Sequence, residues 1–64
     1  MDESQILRYF TYAHLPEGAL RETSAKFAAL AHDVDQTLPA GAEKSTALRK
    51  LLEGKDAAVR AALG

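Results

Sequence analysis

Leu38-Pro39-Ala40-Gly41, residues 38–41, is the stretch on which the reading of this chain turns. Pro39 disfavours helical backbone at the residue before it, so a helix arriving at Leu38 must stop there. Ala40 and Gly41 then complete a connection short enough to reverse the chain between two antiparallel helices. The fold is decided by whether both flanks are helical. Upstream, Leu20, Ser24, Phe27, Ala31, Val34 and Leu38 recur at alternating spacings of four and three, with Leu30 beside them, which is a heptad-like seam and not a strand pattern. Downstream, Leu48, Leu52, Lys55, Val59 and Ala62 form a second seam. Glu43 stands in that helix's first turn, where a carboxylate complements the helix dipole.

The downstream helix carries more apolar surface than one neighbour can cover. Ala47, Leu51, Gly54, Ala58 and Ala61 flank its seam, and the small residues among them predict close approach by a helix of another protomer. Gly54 costs roughly 1 kcal/mol against alanine in a helix interior, a penalty that close packing would offset.

At the other end of the chain, Asp2 stands three residues before Gln5, the spacing of a capping box, and Ile6, Leu7 and Phe10 share one side of a short helix. Pro16 suits the first position of the helix that follows, where its missing N–H costs nothing. The sequence therefore predicts one all-α domain over 1–64, with helices at about 3–10, 17–38 and 42–63: a short N-terminal helix followed by an antiparallel helical hairpin.

Sixty-four residues bury only about 60% of the surface of the unfolded chain, so the core is marginal. With no cysteine and only two histidines, disulfides and a structural metal are unavailable as staples, and oligomerisation remains. Eight Lys and Arg against nine Asp and Glu give a net charge of -1, which creates no field to attract DNA, RNA or an anionic membrane. Lys44, Arg49, Lys50, Lys55 and Arg60 are interleaved with Glu43, Glu53 and Asp56, the pattern of a solvated mixed-charge face. No apolar run approaches ~18 residues and no signal-peptide pattern is present. The expectation is a cytoplasmic protein without membrane contact.

His14 and His32 are far apart in the pattern, and Asp35, three residues after His32, makes only a surface-type pair. Neither a metal site nor a cofactor is expected. No nucleophile stands at a recognisable spacing from a base, and so small a domain has little volume for a closed pocket, so an enzyme is not expected either. What stands out is aromatic. Tyr9, Phe10 and Tyr12, three of the chain's four aromatic residues, fall within four consecutive positions beside a turn, leaving Phe27 to anchor the helical seam. Helical spacing assigns Phe10 mainly to packing with Ile6 and Leu7, leaves Tyr9 ambiguous, and puts Tyr12 beyond the helix, free to stack. Lys26, next to Phe27, is expected at the edge of the seam, with its stem on apolar surface. Lys55 falls inside an apolar row, where an unpaired charge is costly, and needs a carboxylate, a phosphate or a route to solvent. Ser45 and Thr46, with Lys44 beside them, stand in the first turn of the last helix, where hydroxyls and backbone N–H groups can meet an anion. Stacking aromatics, an edge cation and a hydroxyl-bearing helix start make a minimal kit for a small nucleotide. The candidate ligand-binding residues are accordingly Tyr12, Lys26, Phe10, Tyr9, Ser45, Thr46 and Lys44.

Phe10-Thr11-Tyr12 ahead of a proline-containing turn, Ala42-Glu43-Lys44-Ser45-Thr46-Ala47-Leu48, and the run from Lys50-Leu51-Leu52-Glu53 to Arg60 together give the chain a recognisable likeness. From about Tyr9 to Leu63 it resembles the phage anti-CBASS cyclic-oligonucleotide sponges, and in particular a branch of small phage proteins sharing their hairpin domain. The resemblance implies a symmetric homo-oligomer, dimers building a hexamer, which sequesters cyclic di- and oligonucleotide messengers such as cyclic GMP-AMP in the host bacterial cytoplasm without turnover. It implies a cyclic dinucleotide held between two protomers, with Tyr12 stacking on a base and Lys26 contacting phosphate. Some members also hold a cyclic trinucleotide on a threefold axis; several carry an arginine where this chain has Ala42. The competing expectation is a protein-binding module that uses the hairpin and the N-terminal aromatics as its anchor.

Overall fold

The computed structural model describes residues 3–12, 15 and 18–64. The capping-box reading of Asp2, the helix-starting role of Pro16 and the position of His14 lie outside those residues. Among the described residues the chain is helical throughout, with no strand: a 3-10 helix at Glu3–Phe10, helix α1 at Ala19–Thr37 and helix α2 at Ala42–Leu63.

The N-terminal segment differs in kind from the short helix that its pattern suggests. Eight residues in the tighter 3-10 geometry is long for that form. A segment of this length is also too short to persist as an isolated α-helix. Tertiary packing therefore sets its conformation, and it packs against both α1 and α2.

Helix α1 begins at Ala19, two residues after the position read from the sequence. Gly18 precedes it at φ +123°, a backbone conformation that side chains other than glycine's rarely adopt. The helix ends as Pro39 requires. Leu38 is extended, at φ −102° and ψ 146°, while its N–H still donates to the Val34 carbonyl at 3.2 Å. At the start of α2 the Ser45 N–H donates to the Gly41 carbonyl at 3.1 Å.

All three elements meet in one small core. Phe10, Ala28, Ala31 and Leu48 are fully buried, and Ile6, Leu7, Phe27, Val34, Leu51 and Leu52 are packed around them partly exposed. The two alanines present almost bare helix backbone, and this room on α1 accommodates Phe10 and Leu48. Phe10, only 1% exposed, is therefore the principal aromatic of the core. Phe27, expected in that role, is half-buried.

Two further contacts join α1 to α2. Near the connection, the buried Lys44 ammonium donates to the Asp35 carbonyl at 2.8 Å and stands 3.2 Å from its carboxylate. Farther along, a methyl group built on Gly54 would lie 3.6 Å from Phe27 Cε1. Gly54 thus faces a side chain of its own protomer while remaining exposed.

Candidate functional site

Phe10 is drawn into the core and the chain leaves the 3-10 helix immediately after it, so Thr11 and Tyr12 are laid along α1. Between this exit and α1 lies a cavity of about 380 Å³. Leu7, Phe10, Thr11 and Tyr12 line one side of it; Ala25, Ala28, Ala29 and His32 line the other. The α1 residues fall at i, i+3, i+4 and i+7 and so share one helix face. Three alanines make that face nearly flat, and His32 places an imidazole at its end. The cavity is a mainly apolar slot, with Thr11, Tyr12 and His32 as its polar side chains among the described residues.

Tyr12 is 36% exposed and follows the 3-10 helix in non-helical backbone. Its carbonyl accepts a hydrogen bond from the Leu15 N–H at 3.0 Å. The ring is therefore a wall of the slot with solvent access, the property a stacking surface requires. Phe10 lines the same slot from within the core.

The other sequence-derived candidates stand elsewhere. Tyr9, 47% exposed, is not a lining residue. The Arg8 guanidinium donates to its hydroxyl at 3.1 Å and lies 5.1 Å from its ring centroid. Lys26 is exposed rather than held at the edge of the seam, and it too lies outside the lining. It is about 100° around α1 from Ala25. At the start of α2, Lys44 is engaged with Asp35, and the Thr46 hydroxyl donates back to the Ala42 carbonyl at 3.0 Å. Neither these two nor Ser45 reaches the slot within one chain. Of the seven candidates, only Tyr12 and Phe10 are brought together.

His32, Thr11 and the alanine face were missed from sequence. Their signal is Ala25-Ala28-Ala29-His32, a run of small residues at helical spacing one step around α1 from the heptad-like seam. Lys55, which needed a partner, has two: its ammonium donates to the Tyr9 carbonyl at 3.0 Å and stands 3.7 Å from the Asp56 carboxylate.

No protein-family model, curated protein or solved structure matches the chain. Among the described residues there is no group of three or more His, Cys, Asp or Glu side chains able to hold a metal, and no helix is long and apolar enough to cross a membrane.

Proposed function

We propose that this chain is an antiparallel helical hairpin subunit of a symmetric homo-oligomer that binds and sequesters cyclic di- and oligonucleotides without turning them over, blocking CBASS anti-phage signalling in the host bacterial cytoplasm. The observation that carries this reading is the slot between Tyr12 and the alanine face of α1. Its volume of about 380 Å³ is at the small end of ligand pockets. That suits one planar heteroaromatic ring better than a whole cyclic dinucleotide. Each protomer thus offers a place for one base, and a pseudo-twofold dinucleotide needs two such places, which a twofold interface supplies.

Several features support the hairpin and its assembly. Asp35 pairs with Lys44 and Phe27 with Gly54, so late α1 meets early α2 and middle α1 meets middle α2, the register of a hairpin. The molecule extends 35 × 19 × 18 Å and exposes 4310 Å², against roughly 4000 Å² for a compact chain of its mass. Among the described residues only four hydrophobic ones are fully buried. Lys26, exposed on α1, is available to a phosphate held by two protomers, as the likeness to the sponges implies.

Isothermal titration with a panel of cyclic di- and trinucleotides tests the proposal. Binding by at least one is expected, with stoichiometry set by the oligomer. Tyr12→Ala should weaken it about ten- to hundredfold while leaving the helical content unchanged. Absence of heat with every member of the panel, for a folded oligomer, would sink the reading.

One observation favours the alternative of a protein-binding module. Tyr9 is exposed, outside the slot, and paired with Arg8, and tyrosine beside arginine is a common interface anchor. Tyr9→Ala should leave nucleotide binding intact; if it abolishes a protein interaction instead, the module reading gains.

A further inference from the structure

Lys55 lies midway along α2 between Leu52 and Val59, and only 16% of its side chain is exposed. Its ammonium reaches the Tyr9 carbonyl at 3.0 Å, bridging 46 positions of sequence. The Asp56 carboxylate, at 3.7 Å, is the more distant partner. Tyr9 is the penultimate residue of the 3-10 helix. Carbonyls at a helix's C-terminal end lack partners within it, and the dipole there is negative. Lys55 therefore closes this end with a charge-assisted hydrogen bond from another element.

The chain then continues directly as Phe10, Thr11 and Tyr12, three of the four described residues on that side of the slot. Burial of Phe10 fixes one point of the exit, and the Leu15 N–H bond to the Tyr12 carbonyl fixes a second. A segment pinned at those two points can still pivot about the line that joins them. The Lys55 bond to Tyr9 supplies the third constraint.

We propose that Lys55 is a positioning residue: it fixes the exit of the 3-10 helix so that the Tyr12 ring stands as a wall of the slot, without lining the slot itself. Its role in binding rests on the nucleotide reading above; its role in ordering the exit does not.

Two variants and two measurements test this. Lys55→Met keeps an apolar stem and removes the donor, whereas Lys55→Arg keeps a donor. Amide hydrogen exchange without nucleotide reads the order of residues 5–12, and titration with the cyclic dinucleotide panel reads the slot. For Lys55→Met, exchange in that segment should become about tenfold faster with α1 and α2 unchanged, and affinity should fall about tenfold. Lys55→Arg should restore most of both. Unchanged exchange at residues 5–12 in Lys55→Met overturns the proposal. So does an equal loss of protection along α1 and α2, which would make Lys55 a general determinant of the fold, or failure of Lys55→Arg to restore either readout. If the unmodified protein binds no member of the panel, the nucleotide reading falls, and the exchange data alone decide whether Lys55 orders the exit.

Discussion

Gly54→Ala should stabilise the chain, and the size of the effect follows from two local facts. Gly54 lies well inside α2, which runs from Ala42 to Leu63, so alanine there gains about 0.8–1 kcal/mol of helix propensity. The new methyl would lie 3.6 Å from Phe27 Cε1, the separation of ordinary van der Waals contact, so no clash opposes that gain. Such contacts add only ~0.1–0.2 kcal/mol each, and the expected total is about 1 kcal/mol. For a domain of this size that corresponds to a rise in Tm of about 4–8 °C. Thermal unfolding followed by circular dichroism measures the shift, and light scattering over a range of protein concentrations follows assembly. The second measurement matters because unfolding of an oligomer depends on protomer concentration. A lower Tm with assembly unchanged would refute the packing of Gly54 against Phe27. A lower Tm caused by loss of assembly would show instead that a helix of a second protomer also approaches at this glycine. Gly54→Leu is the comparison: its branches reach beyond the methyl position toward Phe27, so it should stabilise less than Gly54→Ala.

Four further outcomes follow from the packing. Ser24 is fully buried on α1 with its hydroxyl lacking a hydrogen-bond partner among the described residues, so Ser24→Ala should raise stability by about 1 kcal/mol in urea titrations. Lys44→Met removes both the hydrogen bond to the Asp35 carbonyl and the ion pair with its carboxylate, which is 17% exposed, and should cost about 3 kcal/mol. Asp35→Asn should cost clearly less, because the 2.8 Å bond from Lys44 to the Asp35 carbonyl survives it; equal losses for the two variants would contradict this division. Phe10→Ala removes the principal core aromatic and should cost about 3–5 kcal/mol, enough to unfold so small a chain, with loss of the helical dichroism signal as the readout.

The helices were legible because their signals are local and mutually consistent. Pro39 acts on Leu38 through sterics alone, and the four-three spacing upstream has no competing strand reading. The 3-10 form of the first helix was not legible, because at eight residues the difference between helix types is set by what the segment packs against. Phe10 and Phe27 show the same limit. Both stand on apolar faces, and only the proximity of Ala28, Ala31 and Leu48 decides that Phe10 is the one enclosed. The slot was half visible: Tyr12 drew attention by standing beyond a helix, whereas the alanines opposite it carry no chemical signal in a helix-forming composition. Lys55 announced that it needed a partner, yet the partner is a backbone carbonyl, and any residue type at position 9 would have supplied one.

These features couple order at the N-terminus to whatever fills the slot. The 3-10 helix has little stability of its own, and its position depends on Phe10 in the core and Lys55 at its end. Tyr12 inherits that position. Under the proposed function, a nucleotide stacked on Tyr12 favours only the conformations in which the exit is held, so binding and ordering of the segment are linked equilibria. At a ligand concentration one hundred times Kd the folded state gains about 2.7 kcal/mol, a large fraction of what a marginal 64-residue chain possesses. At the same free nucleotide concentration, exchange at residues 5–12 should slow in each protein by a factor of about one plus the ratio of that concentration to Kd, and so about tenfold less in Lys55→Met, whose affinity is about tenfold lower. An equal slowing in both would mean that loss of the Lys55 bond leaves the binding-competent exit as populated as before, against the role given to Lys55.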